Sequence, residues 1–375
     1  MTRRLWATVS VLSLNAIAVN PSAQESLPWR DPSPHSVQFI NVEDNIKLEV
    51  LDWGGSGRPV VLLTGLGNTA HIFDDFAPKL TSEFHVYGIT RRGYGASSIP
   101  ASGYSADKLG DDVLAVLNSL KLERPVLVGH SIAGEELSSV GTRHPGRVAG
   151  LIYLDAAYPY AYYDHSRGDR DIDLQELERK LERLKTPLDK STRLQIVQEL
   201  LQDNLPGFER DLQEETKRLQ ALPEEKGLAP EPSATDLASY SAFHTWFIRA
   251  YGIPVPEAEL RQEYKLKPSG EVDKTPSNSA NKAIVEGIQK YMDIRVPILS
   301  IYAIPHDYRA FYNDPAVRAA AEAADAASNE AQAKAFETGE SSARIVRLTH
   351  ANHYVFLSNE SDVLREMRIF LARLQ

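Results

Sequence analysis

Apolar residues fall into short, nearly continuous runs, separated by stretches in which they recur every three or four positions. The runs at 59–64, 85–90, 125–128, 148–154, 297–302 and 344–348 are mostly rich in Val, Leu and Ile, as strands buried on both faces should be. Residues 107–120 carry an amphipathic helical pattern between two of these runs, and 364–374 read as a closing helix. Alternating strands and helices predict a mostly parallel sheet with helices on both faces. Residues 38–42 and 46–53 alternate apolar with polar instead. Glu43-Asp44-Asn45 joins them, which predicts an antiparallel hairpin at the edge of the sheet.

The rhythm stops across residues 158–292. That stretch is charged, helical in pattern and poor in strand signals, with amphipathic repeats at 174–184 and 194–201. Pro230, Pro232, Pro254, Pro256 and Pro268 punctuate it. It predicts a helical cap inserted between two strands of a core formed by 24–157 and 293–375. The Ala- and Glu-rich run at 316–336 predicts a separate, solvent-facing helix. No repeat, metal-ligand spacing or phosphate-binding loop is visible in the sequence.

The first residues change the picture of where the chain works. Met1-Thr2-Arg3-Arg4 precedes an apolar stretch at 5–19, broken only by Thr8, Ser10, Ser13 and Asn15. A basic start, a short apolar region and small residues predict a signal peptide over 1–23, cleaved after Ala18 or Ala23, and not a membrane anchor. The expected location is periplasmic or secreted. The net charge of −10 falls to −12 when Arg3 and Arg4 are removed, which argues against nucleic acid or anionic lipid as a partner. The chain has no cysteine, so it has no disulfide and no thiol nucleophile.

The chemistry enters at Gly129-His130-Ser131-Ile132-Ala133-Gly134, directly after the run 125–128 and before the helical Glu135-Glu136-Leu137. Strand, small-residue turn and helix form the context of a nucleophile elbow, in which strain lifts a serine hydroxyl out of the sheet. Ala133 stands where a second glycine is usual, and Gly134 follows it. Read alone, Ser131 is also a plain helix cap. Three further motifs stand in order around it: Leu63-Thr64-Gly65-Leu66-Gly67, Arg92-Gly93-Tyr94-Gly95-Ala96-Ser97 and Thr349-His350-Ala351-Asn352-His353.

With these four motifs in this order the chain resembles an α/β-hydrolase with a cap, over nearly all of its length outside the signal and the lid. The resemblance implies an α/β fold of the α/β-hydrolase type and a serine hydrolase needing no cofactor and no metal. Ser131 would be the nucleophile and His353, in the loop after the last strand, its base, with His350 the neighbour that competes for the role. An acid must orient that imidazole. Asp307, beyond the strand 297–302, is the expected acid, although it sits one residue later than the usual register. Asp155, at the end of 148–154, is the alternative. By the same resemblance the backbone amides of Leu66 and Ile132 would receive the oxyanion. Thr64 stands where relatives often have histidine.

His71, His85, His144, His165 and His244 show no ligand spacing, and His130 is expected to pack. Tyr158, Tyr160, Tyr162 and Tyr163, with Phe243-His244-Thr245-Trp246-Phe247, are read either as the roof of an aromatic pocket or as lid core. The expected function is a carboxylic-ester hydrolase acting on a small apolar or aromatic ester through an acyl-serine. A serine aminopeptidase, a lactonase, a C–C hydrolase and a non-catalytic ligand-binding protein remain open. An aminopeptidase would use a lid carboxylate such as Glu215, Glu224 or Glu257 to hold the substrate's amine. The sequence leaves the oligomeric state undetermined.

Overall fold

The computed structural model describes residues 29–221, 231–277 and 280–374. The expected signal peptide at 1–23 and Glu224 lie outside them. The chain divides into two compact units, Met1–Pro32 and Ser33–Gln375. Of the first, residues 29–32 are described and carry neither helix nor strand. The second unit holds the sheet and all described helices.

Eight strands lie among the described residues: β1 Ser36–Glu43, β2 Ile46–Gly54, β3 Pro59–Leu63, β4 His85–Ile89, β5 Val126–His130, β6 Gly150–Leu154, β7 Ile298–Ala303 and β8 Ala343–Leu348. They form one sheet in the order β1-β2-β4-β3-β5-β6-β7-β8. β1 and β2 pair antiparallel as the edge hairpin, β2 meets β4 antiparallel, and every other neighbouring pair is parallel. This is the α/β-hydrolase fold, with each predicted strand found within two residues of its predicted ends.

The apolar runs are continuous because alternate residues feed two cores. Val60, Leu62, Val126, Val128, Ile152 and Leu154 point to one face. Val61, Leu63, Leu127, Leu151 and Tyr153 point to the other. Each Val, Leu or Ile so buried contributes about 1.5–3 kcal/mol relative to exposure. Helices α1 Ala106–Ser119 and α2 Gly134–Arg143 cover the second face.

Between β6 and β7 the chain forms α3 Arg170–Leu184, α4 Lys190–Glu199, a π turn at Leu200–Asn204 running on into α5 Leu205–Ala221, α6 Tyr240–Tyr251, α7 Glu257–Glu263 and α8 Asn281–Val285. One isolated antiparallel bridge, Leu266–Val272, lies in this segment. Beyond β7 come α9 Pro315–Gly339, and after β8 the short α10 Val355–Ser358 and α11 Glu360–Leu371. α11 closes the first core face through Val363, Met367 and Phe370.

The solvent-facing reading of 316–336 needs correction. Ala333 and Phe336 of α9 are fully buried, and Gln332 donates to the Ala157 carbonyl at 3.2 Å. Small alanines let this helix lie close against the chain leaving β6, a use of alanine that composition alone does not reveal. Among the described residues no helix is long and apolar enough to cross a membrane.

Candidate active site

Two residues at adjacent strand ends are held in the left-handed backbone region. Ser131, directly after β5, has φ 53°, and Asp155, directly after β6, has φ 48°. Neither is glycine, so each conformation is strained and persists only because the surroundings fix it. The last paired residues are His130 and Leu154, so the two strained turns sit side by side. Gly134 makes this approach possible. A Cβ there would lie 2.0 Å from the Ala156 carbonyl oxygen, so α2 could not pack against the chain leaving β6.

Asp155 is fully buried, and both its oxygens are engaged. Oδ1 accepts from the Ala303 amide and the Tyr158 hydroxyl, each at 2.9 Å. Oδ2 accepts from His353 Nδ1 at 2.6 Å and from His306 Nε2 at 2.7 Å. Burial on its own would push this carboxyl up. The hydrogen bonds and charges of the two imidazoles outweigh burial and hold it far below the usual carboxylate range. With Nδ1–H bound to Asp155, the Nε2 lone pair of His353 is left to take up a proton.

His353 therefore meets Asp155, not Asp307. Asp307 lies at the same cleft, but its carboxylate is clasped by Arg309 through the backbone amide at 2.9 Å and the guanidinium at 2.5–2.9 Å. The hydrogen bonds from Arg309 hold its carboxyl below the ordinary value. The reason is the side to which each residue faces. After β7 the chain bends at Ile304 and Pro305 and is extended again at His306, which bridges to Ala351. Successive side chains then point to opposite sides. His306 faces Asp155, and Asp307 faces away.

His350 has φ 52° and an exposed ring, and its amide donates to the Pro305 carbonyl at 3.1 Å. His130 packs between rings, 4.8 Å from that of His353 and 4.7 Å from that of Tyr354, with Nε2 3.1 Å from the His353 carbonyl. Burial keeps it neutral by lowering its pKa to about 3. Its packing fixes the His353 loop against the turn that carries Ser131. Tyr160 lies close enough to Ser131 to feel its hydroxyl, and burial pushes the Tyr160 hydroxyl far up.

Leu66 follows β3 and Ile132 follows β5, and those strands are neighbours, with Leu63 opposite Gly129. The loop carrying Leu66 is fixed from two sides. Arg91 donates to the carbonyls of Thr64 (2.7 Å) and Gly65 (3.3 Å), and binds Glu136 of α2 in a buried ion pair at 2.7 Å. From the other side Glu259 of α7 accepts from the Thr69 amide at 2.9 Å, the Thr69 hydroxyl at 2.5 Å and Asn68 Nδ2 at 3.0 Å. Glu263 shares that Asn68 nitrogen at 3.1 Å, and Tyr354 donates to Asn68 Oδ1 at 3.2 Å.

Burial raises Glu259 to about 7 from its ordinary 4.5. The folded chain therefore holds a proton there that the unfolded chain releases above pH 4.5. This stabilisation is complete below that pH and is lost as pH rises through 7. Glu263, also raised by burial and set against Glu259, shares this titration, so Glu259→Gln should reduce the dependence. In urea denaturation, wild type should lose on the order of 2 kcal/mol more than the variant between pH 5 and 8. Parallel pH profiles for the two proteins would contradict this account of Glu259.

A cleft of about 460 Å³ opens beside His353. Tyr158, Tyr160, Ile253, Tyr308, Phe311 and Tyr354 supply its apolar wall, and His306, Asp307, Asp325, Asn329, Asn352 and His353 its polar groups. The other aromatics are core. Tyr162 packs on Phe336, Tyr163 donates to Asp173 at 2.6 Å, and Phe243 stacks on Trp246 at 5.2 Å with both buried. Asp155, His306 and His353 bring ligand-type atoms within 4.8 Å of one another. The imidazole nitrogens in that group face carboxylates at hydrogen-bond distance, so protons already satisfy it. Sequence reasoning missed His306 and Glu259, while Tyr158 and Tyr160 line the cleft as the pocket-roof reading has them. The only signal for His306 was its place beside Asp307.

A family model described as the alpha/beta hydrolase fold matches residues 58–223. The chain is 37% identical over 123 residues to the AB hydrolase superfamily protein YisY of Bacillus subtilis, which is 32% of this chain and 46% of that protein. It is 33% identical over 115 residues to the putative carbamate hydrolase RutD of Caulobacter segnis, 30% of this chain and 43% of that one. The chain thus spans less than half the length of these curated relatives. Among solved structures, E-2-(acetamidomethylene)succinate hydrolase superposes with a TM-score of 0.56 at 16% identity, covering 90% of this chain and 99% of that one. The sheet order, the strained turn after β5 and these likenesses agree on one architecture: the chain has the α/β-hydrolase fold and is similar to hydrolases built on it.

Proposed function

We propose that this protein is a serine hydrolase that cleaves carboxylic esters of apolar or aromatic acyl groups through an acyl-serine intermediate. The observation that carries the reading is the 2.6 Å bond from His353 to the fully buried Asp155, beside the strained turn that presents Ser131. In this reading His353 Nε2 takes the proton of Ser131 as Oγ attacks the ester carbonyl. Asp155 fixes the tautomer and stabilises the imidazolium. The Leu66 and Ile132 amides receive the oxyanion. The imidazolium protonates the departing alcohol, and water, activated by the same base, releases the acid.

The helices between β6 and β7 act as the lid, contributing Ile253 to the cleft wall. Two lid carboxylates considered for amine recognition are held by arginines, Glu215 by Arg170 at 3.2 Å and Glu257 by Arg261 at 2.5 Å. This favours an ester over an aminoacyl substrate. A fluorophosphonate probe tests the chemistry, and a panel of p-nitrophenyl esters with an aminoacyl anilide tests the bond. Labelling at Ser131, with ester cleavage exceeding anilide cleavage, is expected. An unlabelled, folded protein would point instead to a non-catalytic binder.

A further inference from the structure

We propose that His306 is a positioning residue of the site, a fixed imidazolium that holds Asp155 against His353 and sets the pH at which the base is lost to protonation. Both ring nitrogens of His306 face carboxylates. Nε2 lies 2.7 Å from Asp155 Oδ2, and Nδ1 lies 3.0 Å from both oxygens of Asp325 on α9. A neutral imidazole has one N–H, so carboxylates on both sides require both nitrogens to be protonated. The outer carboxylate is itself fixed. Asp325 also accepts from the His306 backbone amide at 2.8 Å, from Asn329 at 3.0 Å and from Tyr308 at 3.2 Å. Burial disfavours the charge on His306, but the hydrogen bonds it donates to Asp155 and Asp325 outweigh burial and raise the group to about 10. The cation therefore persists throughout the neutral range.

The groups that face this ring act on it together. Asp155 from the end of β6 and Asp325 from α9 attract the charge. Tyr158 bonds to Asp155 and Tyr308 to Asp325. The His353 ring stands 5.9 Å away. Asp155 thus carries one formal negative charge between two imidazoles, one of which is already cationic. When His353 accepts a proton it gains a positive neighbour as well as a negative one. A proton arriving on His353 therefore meets the His306 cation across 5.9 Å as well as the Asp155 carboxylate. The same clamp pins Oδ2 of Asp155 beside His353.

This inference rests on reading Ser131, His353 and Asp155 as one relay, so its test includes a readout that needs no turnover. In His306→Gln the low-pH limb of kcat/KM should move up by about one pH unit, the scale of a lost unit charge at this separation in a partly buried site. The His353 ring, followed by ¹⁵N-edited NMR, should show the same upward displacement relative to wild type, whether or not any ester is cleaved. In wild type the His306 ring should show two protonated nitrogens from pH 5 to 8. Asp325→Asn, which removes only the outer carboxylate, should lower the pH at which the His306 ring loses its second proton in the same NMR experiment, and it serves if His306→Gln does not fold; an unchanged His306 midpoint in Asp325→Asn would contradict the clamp. A fall in activity with neither limb nor NMR midpoint displaced would reduce His306 to a structural role and overturn the proposal, as would a neutral His306 ring at pH 7. Failure of the ester assay with the NMR displacement intact would count against the proposed function alone.

Discussion

Ser131→Ala should remove ester hydrolysis and leave the fold unchanged. Alanine meets the same left-handed backbone at φ 53° that serine does, so the elbow's strain is neither added to nor relieved. The turn stays locked by α2 and by the close approach at Gly134. What disappears is the one oxygen on which the acyl group would be carried. The expected loss is about a thousandfold or more in kcat, with substrate affinity kept. His353→Ala should be about as damaging, and the double variant little worse, because nucleophile and base act as a unit. His350→Ala should be mild, since that ring is exposed and only its backbone amide bonds to Pro305. Retention of a tenth of the activity in Ser131→Ala, measured on protein with an unchanged melting temperature, would sink the assignment. So would a His350→Ala loss exceeding that of His353→Ala.

How much of this was visible in the chain depends on what each signal records. The strands of the sheet interior were legible because residues such as Val60 to Leu63 feed two cores by turns, and only a doubly covered strand needs an unbroken apolar run. The serine turn was legible because tight packing after β5 demands small residues. A Cβ at Gly129 would lie 2.9 Å from Leu137. The partner of His353 was not legible. Asp155 and Asp307 both follow a parallel strand, and both reach the same end of the sheet. Their difference is one of facing beyond the last paired residue, and no residue type encodes it. Arg309 settles the matter for Asp307, two positions away, as a short-range ion pair that motif reasoning passed over. His306 was hidden for a related reason. Its importance comes from Asp325, nineteen residues on in a helix whose composition reads as solvent-facing. Glu259 was likewise one acidic residue among many until α7 set it on Thr69.

Asp155→Asn should cost far more activity than Asp307→Asn, and the comparison of the two decides the acid. Asp155 accepts four hydrogen bonds and donates none, so all its neighbours point N–H or O–H groups at it. An amide has one acceptor oxygen and one NH₂ group, which only donates. If its oxygen faces the imidazoles, its NH₂ is forced against the Ala303 amide and the Tyr158 hydroxyl. If it is turned over, the NH₂ confronts His353 and His306, and His353 is driven toward the tautomer that cannot serve as base. Either orientation also leaves the His306 cation short of a counter-charge. Turnover should fall by about a thousandfold or more. Some stability should go with it, since one partner of a buried charged group has been removed. Asp307→Asn loses only a pair with Arg309, whose side chain is 73% exposed, and surface pairs of that kind contribute about 0–1 kcal/mol. Its activity should stay within about threefold of wild type on that account. Because Asp155→Asn is less stable by design, both variants should be assayed well below their melting temperatures, with the folded fraction checked by circular dichroism. A larger loss in Asp307→Asn than in Asp155→Asn, at matched folded fraction, would return the acid to the loop after β7 and leave the 2.6 Å contact between Asp155 and His353 without a catalytic role.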